Sequence, residues 1–445
     1  MAHTFIKDRN IVLFSFQPWD TEIGSNFKDM AVELAKLNRV LYVNRALDRA
    51  SLWKGKYNPQ VQTRLASIRR GKGELVQVQP GLWVQNPRTI LESINWIPFA
   101  AIHDRLNKIN NIRLSRQINK MIHRLKFTNV ILINDNDFIR GRYLRQLVHC
   151  SDYIFYKRDY MLGVGYFRRH GPRLESGILE EADLVVTNSE YLASQARKIN
   201  KNSYDMGQGC YPANFLENID TVPDDIKNMK GPVIGYTGYI SAWRIDVDIL
   251  VYIARQLPEC SIVLVGPVDI LFQIDEVKDL GNIFFLGTKP ADELPAYIKQ
   301  FDVCINPQVL NEMTMGNYPR KIDEYLAMGK PVVATATETM ELFKDYCLLC
   351  TDKREFVENI KKVIGNQNLY SSQDEINKRK AFASTHTWTN SIGRLGDAYY
   401  APRIKADLPD KPVKVSGYKK PWLQVLATVF IIIYLLFIFV KFLFY

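Results

Sequence analysis

Between Pro319 and Thr335 the chain reads PRKIDEYLAMGKPVVAT, and within it two cations, Arg320 and Lys321, precede a carboxylate, Glu324. Cations beside a hydroxyl-binding acceptor suit a phosphorylated sugar. Pro319 fits the first position of a helix, where its missing N–H costs nothing, and Ile322, Tyr325 and Leu326 mark an apolar face at helical spacing. Gly329 then ends the helix, Lys330-Pro331 prevents its continuation, and Val332, Val333 and Thr335 predict a short parallel strand. Arg320 and Lys321 thus stand at a helix N-terminus, where free N–H groups and the dipole already favour an anion. Glu324 lies about one turn further on the same face as Arg320, and its carboxylate can accept two hydroxyl hydrogen bonds. The same spacing also describes an ordinary ion pair between Arg320 and Glu324 beside a solvated Lys321.

This block resembles the nucleotide-sugar signature of retaining glycosyltransferases of family 4, which have the GT-B fold: Pro319, Lys321, Glu324, Tyr325, Gly329 and Pro331 match it. The resemblance implies that Glu324 binds the donor ribose and that the preceding loop, with Asn317, approaches the diphosphate and sugar. One departure matters. The family's earlier glutamate, eight positions before Glu324, is Gly316 here, with Glu312 or the backbone of 315–317 as stand-ins. A strand over 233–236, the turn Thr237-Gly238-Tyr239-Ile240-Ser241 and a helix to 257 resemble the family's phosphate-side loop. There Gly238 would let bare backbone meet the donor, with Ser241 and Arg244 near the next helix N-terminus. A tight turn with an exposed Arg244 is the ordinary alternative.

The elements that must position these residues form two β-α alternations. A chain of 445 residues exceeds one ordinary core. A strand over 11–16, a polar loop reaching Gly24, a helix to 37 and a strand from Val40 open a Rossmann-like layer. Residues 51–126 read as a basic, broken insertion, either solvated or touching anionic lipid or a lipid-linked acceptor. Strands over 130–133 and 153–156 end in NDND and YKRD, which makes Asp135, Asp137, Lys157, Arg158 and Asp159 acceptor-side candidates. An acidic helix starting at Glu175 leads into a strand over 182–187. The expected architecture is α/β, GT-B: an N-terminal Rossmann-like acceptor-side domain over 1–222 and a C-terminal nucleotide-sugar domain over 231–385, facing a cleft. A closing helix over 386–402 returns to the first domain, followed by a basic linker over 403–420 and a transmembrane helix over 421–440.

That last segment carries no charge between Pro421 and Val440. As a helix it spans about 30 Å, the thickness of a bilayer core. Lys411, Lys414, Lys419 and Lys420 crowd its N-terminal flank, so the positive-inside rule places the catalytic domains in the cytosol. The short polar start before Ile11 agrees with an unexported head. The net charge of +11 permits phosphorylated substrates or anionic membrane without choosing between them. Six scattered cysteines fit reduced thiols, and Cys347-x-x-Cys350 lacks a second pair that would complete a zinc site.

The resemblance implies a metal-independent, retaining hexosyltransferase with no cofactor, whose donor is a UDP- or GDP-sugar. Arg244 and Lys321 are the candidate catalytic residues, stabilising the leaving diphosphate; Gly238, Ser241, Asn317, Arg320 and Glu324 are the donor-binding ones. Gly24, Asp135 and Asp159 are acceptor-side candidates. The membrane tail suits a lipid-linked glycan acceptor in cell-surface polysaccharide synthesis, and PWD near residue 19 with YKRD near 157 resembles transferases of teichuronic acid assembly. Nucleic acid is not an expected partner. A nucleotide-sugar epimerase and a non-catalytic, membrane-tethered sensor remain as alternatives.

Overall fold

Strands rich in Val, Ile and Leu on both faces must be covered on both sides, which makes them parallel and forces a crossover between each pair. The computed structural model describes residues 3–403, apart from 21–24, 71–72, 212–214, 216–220, 270–271, 273–276 and 278. The first sheet holds β1 (Asn10–Phe14), β2 (Arg39–Val43), β3 (Leu75–Gln79), β4 (Leu82–Gln85), β5 (Ile131–Asp135), β6 (Asp152–Lys157), β7 (Leu184–Thr187) and β8 (Ser203–Asp205). Its order is β3-β4-β2-β1-β5-β6-β7-β8, parallel except for the β3–β4 hairpin. β1 lies centrally, with Leu13 opposite Tyr42 of β2 and Ile133 of β5. Val12, Phe14, Leu132 and Phe155 pack on one face, Ile11, Leu13, Tyr42 and Ile133 on the other.

The second sheet contains β9 (Val233–Thr237), β10 (Ser261–Val265), β11 (Ile283–Gly287), β12 (Val303–Asn306), β13 (Val332–Thr335) and β14 (Leu348–Cys350), all parallel, in the order β11-β10-β9-β12-β13-β14. Ile234, Leu264 and Ile305 face one core, Val263, Cys304 and Ala334 the other. The chain then crosses back. Cys210 and Thr387 form an isolated bridge, and the helix Trp388–Tyr400 buries Trp388, Ile392 and Leu395 against Phe27, Met30 and Leu34 of the helix Asn26–Ala35. The crossing is pinned to the second domain by a buried trio. Asp323 accepts from Tyr318 Oη at 2.8 Å and meets His386 Nδ1 at 2.7 Å.

Three expectations change here. Residues 51–126 are largely regular rather than broken: the helices Arg49–Lys54, Pro59–Arg70 and Ala100–Arg124 flank the β3–β4 hairpin. The helix after Tyr318 begins at Lys321 with Arg320 as its cap, so Pro319 lies just outside it. The acidic helix starts at Gly171, and Glu175 is inside it, buried against Lys157 at 2.5 Å. The 421–440 span lies outside the described residues; among those described, no helix is long and apolar enough to cross a membrane.

Candidate active site

In open α/β sheets ligands bind beyond the carboxyl ends of the strands, and both sheets turn those ends toward one cleft of about 400 Å³. Phe16 follows β1, Asn136 follows β5, Arg158 and Asp159 follow β6, and Asn188 follows β7. From the second domain come Gly238 after β9, Asn306 at the end of β12, and Asn317, Arg320 and Lys321.

Lys321 and Arg244 dominate its electrostatics. Lys321 Nζ lies 3.8 Å from the Tyr236 ring centroid and donates to the Tyr236 hydroxyl. Among the described residues it has no carboxylate within ion-pairing distance, and Arg244 has no ion-pair partner either. Burial, then the neighbouring Arg244 charge, push the Lys321 ammonium down to about 7, against the opposing pull of Glu324. Two under-compensated cations at a cleft mark a place for an anion. Gly238 completes it. Its φ of 130° lies in the region that favours glycine, and an added Cβ would sit 3.0 Å from Lys321 Nζ.

The loop is positioned from behind by a buried hydroxyl. Tyr325 Oη accepts from the Thr237 backbone N–H at 2.7 Å and bonds the Thr237 hydroxyl at 3.2 Å, so the signature helix holds the end of β9 directly before Gly238. Tyr325→Phe leaves that N–H buried without its acceptor. The expected result is a loss of about 1–3 kcal/mol in denaturant unfolding, with weaker nucleotide binding because Gly238 is the next residue.

The other expected residues divide. Asn317 and Asp159 line the cleft, Asp159 with its carboxylate 3.2 Å from Arg158. Arg320 also lines it, but its guanidinium is committed, to Asp29 of the first domain at 2.8 Å and to Glu324 at 3.4 Å. It joins the domains as much as it faces a ligand, and Glu324 stands behind it, its carboxyl pushed up by burial and drawn down by Arg320 and Lys321. Ser241 is buried on the far side of Arg244, lining an adjoining chamber instead. Asp135 does not face the cleft: it is fully buried, takes Arg158 Nε at 2.6 Å and accepts from Phe16 N, because an interior carboxylate needs a cation. Lys157 is likewise consumed by Glu175. Gly24 lies outside the described residues.

The amides were missed. Asn136 donates to the Asp159 carbonyl at 3.0 Å, and Asn188 and Asn26 both donate to Gln208 Oε1, at 3.0 and 2.7 Å. Among the described residues, Asn136 Oδ1, Asn188 Oδ1 and Asn306 Nδ2 are buried without a hydrogen-bond partner while their residues line the cleft, so they are open to ligand hydroxyls. Each sits at or just after a strand's carboxyl end, which was the available signal. All six cysteines are free thiols, and no cluster of His, Cys, Asp or Glu among the described residues is arranged to hold a metal.

Residues 231–366, which carry Gly238, Arg244, Lys321 and Glu324, match the family model described as glycosyl transferases group 1. Residues 231–366 are thus a glycosyl transferases group 1 domain. TuaH of Bacillus subtilis (strain 168), named as a teichuronic acid biosynthesis glycosyltransferase, is 28% identical over 228 residues, covering 48% of this chain and 56% of that protein. The match thus spans little more than half of that relative. Among solved structures, sucrose-phosphate synthase from Thermosynechococcus elongatus superposes with a TM-score of 0.63 at 17% identity, over 88% of this chain and 98% of that one. HepE of Anabaena in complex with UDP gives 0.60 at 17% identity, over 88% and 99%. These likenesses establish a GT-B-like fold, with the group 1 domain as its second half.

Proposed function

We propose that the chain transfers a sugar from a UDP- or GDP-sugar to a glycan acceptor in cell-surface polysaccharide synthesis. The observation that carries this reading is the pair of under-compensated cations, Lys321 and Arg244, against the bare backbone of Gly238. It is supported by the group 1 domain around them, by TuaH and its name, and by the UDP and UDP-glucose complexes of HepE.

The barrier to such a transfer is separation of a diphosphate from an oxocarbenium-like sugar. Lys321 and Arg244 offset the charge that develops on the departing oxygen. The C1–O bond to phosphate breaks, the acceptor oxygen bonds C1, and the acceptor proton passes to the leaving phosphate. Retention of configuration, independence of metal and the absence of a cofactor come from the family resemblance. In this scheme no side-chain base is required, which suits a cleft whose carboxylate, Asp159, lies 3.2 Å from Arg158. The uncharged stretch 421–440 would anchor the enzyme with its catalytic domains cytosolic and its acceptor lipid-linked.

The test is turnover of labelled UDP- and GDP-sugars by membranes containing the full chain, beside Glu324→Ala. Label entering an organic-extractable fraction, and lost in the variant, is the expected result. Donor binding without transfer across the panel would count against it, and would favour the sensor reading that Gly316 motivates. Interconversion of the free donor, without acceptor, would indicate an epimerase.

A further inference from the structure

We propose that a second chamber, opening off the cleft beyond Arg244, receives the acceptor sugar, with the Trp243 indole as its stacking face and Glu312 as acceptor of its hydroxyl hydrogen bonds. This rests on the reading of the main cleft as the donor site.

The chamber holds about 560 Å³ and shares Tyr239 and Arg244 with the donor cleft, so a group within it lies next to the cation assigned to the leaving diphosphate. Its walls come from both domains: Gly163–Gly165 and Arg168 on one side, the Tyr239–Arg244 loop and Asn311–Met313 on the other. The domains approach closely there. A Cβ on Gly163 would lie 3.2 Å from the Met313 backbone nitrogen.

Trp243 is 57% exposed and Tyr239 43%, and both stand on the loop that walls the chamber. The loop is held from beneath: the Trp243 carbonyl accepts from Asn311 Nδ2 at 3.0 Å, and the Arg244 carbonyl from Val309 N at 3.0 Å. The indole is therefore presented on a fixed backbone. Among the described residues Glu312 and Arg168 have no ion-pair partner. A pyranose offers an apolar C–H face and a rim of hydroxyls, which an aromatic face bordered by a carboxylate and a guanidinium complements. An unpaired carboxylate repels phosphate, so the Glu312 side is unsuited to the donor's diphosphate and suited to a sugar.

The experiment uses the full chain in detergent, UDP and GDP titrations for the donor site, and octyl glycosides of glucose, galactose, N-acetylglucosamine and glucuronic acid as acceptor probes. Trp243→Ala is expected to raise acceptor KM at least tenfold and Glu312→Gln at least threefold, with nucleotide Kd within twofold of wild type. Trp243→Phe should restore most of the loss. A weakened nucleotide Kd with acceptor KM unchanged would overturn the proposal by placing the base in the chamber. Unchanged values for both variants, or nucleotide binding by wild type with no probe bound or turned over, would also overturn it. Failure of wild type to bind either nucleotide would instead remove the donor reading beneath it.

Discussion

Lys321→Met is expected to lower kcat by about 10²–10³-fold, the usual cost of removing one preorganised charge from a developing anion, and to flatten the pH dependence of donor binding. In the free protein the ammonium is pushed down to about 7 by burial and by Arg244. A bound diphosphate supplies the missing counter-charge and raises that value, so binding between the two takes up a proton. Affinity for UDP or GDP then falls as pH rises above about 7, by up to tenfold per unit. Calorimetric titration from pH 6 to 9 would show this fall in wild type relative to the Met variant, with heats that depend on the buffer's ionisation enthalpy. Stability runs the other way. The folded lysine releases its proton near 7 and the unfolded one near 10.4, so the unfolded chain binds more protons in between and this residue's contribution to stability rises with pH. Wild type should gain on the Met variant in denaturant unfolding from pH 7 toward 10. Parallel pH profiles of nucleotide affinity in the two proteins would mean that Lys321 meets no anion.

The second domain was legible because its signals are local. Gly329, at φ 72°, ends the signature helix, and Val332 and Val333 continue into the strand their side chains predict. Residues 100–124 were illegible for the opposite reason. The first half of that long helix buries Asn107, Asn110 and Asn111, whose amides reach the carbonyls of Ile139 and Glu92, so the apolar stripe is confined to Leu114, Ile118, Met121 and Ile122 in its second half. Around the site, residue types suggested chemistry but not direction. The four residues of NDND look alike on paper, yet Asp135 pairs with Arg158, Asp137 with Arg140, and Asn136, at φ 52°, is the one that lines the cleft. Which carboxylate is free depends on cations that arrive from elsewhere in the chain, and no spacing rule contains them.

Gly316 is the sharpest such case, because from sequence it reads as a missing sugar-contacting glutamate. Its surroundings give it another role. Its carbonyl accepts from Ser189 Oγ at 3.0 Å, and a Cβ there would stand 2.4 Å from Tyr191 and 3.2 Å from Leu192, on the first domain's helix Glu190–Arg197. Glycine allows the two domains to touch at this point. Gly316→Glu is therefore expected to harm rather than restore. It forces Tyr191 and its helix away and breaks the Ser189 contact, costing about 1–3 kcal/mol by overpacking and lowering turnover at least tenfold. Nucleotide affinity, set by Lys321 and Arg244, should change less than threefold. Adding Tyr191→Ala makes room for the new side chain and should recover most of the stability, measurable by denaturant unfolding of the single and double variants. Faster turnover in Gly316→Glu with stability unchanged would show instead that the position faces an open sugar site.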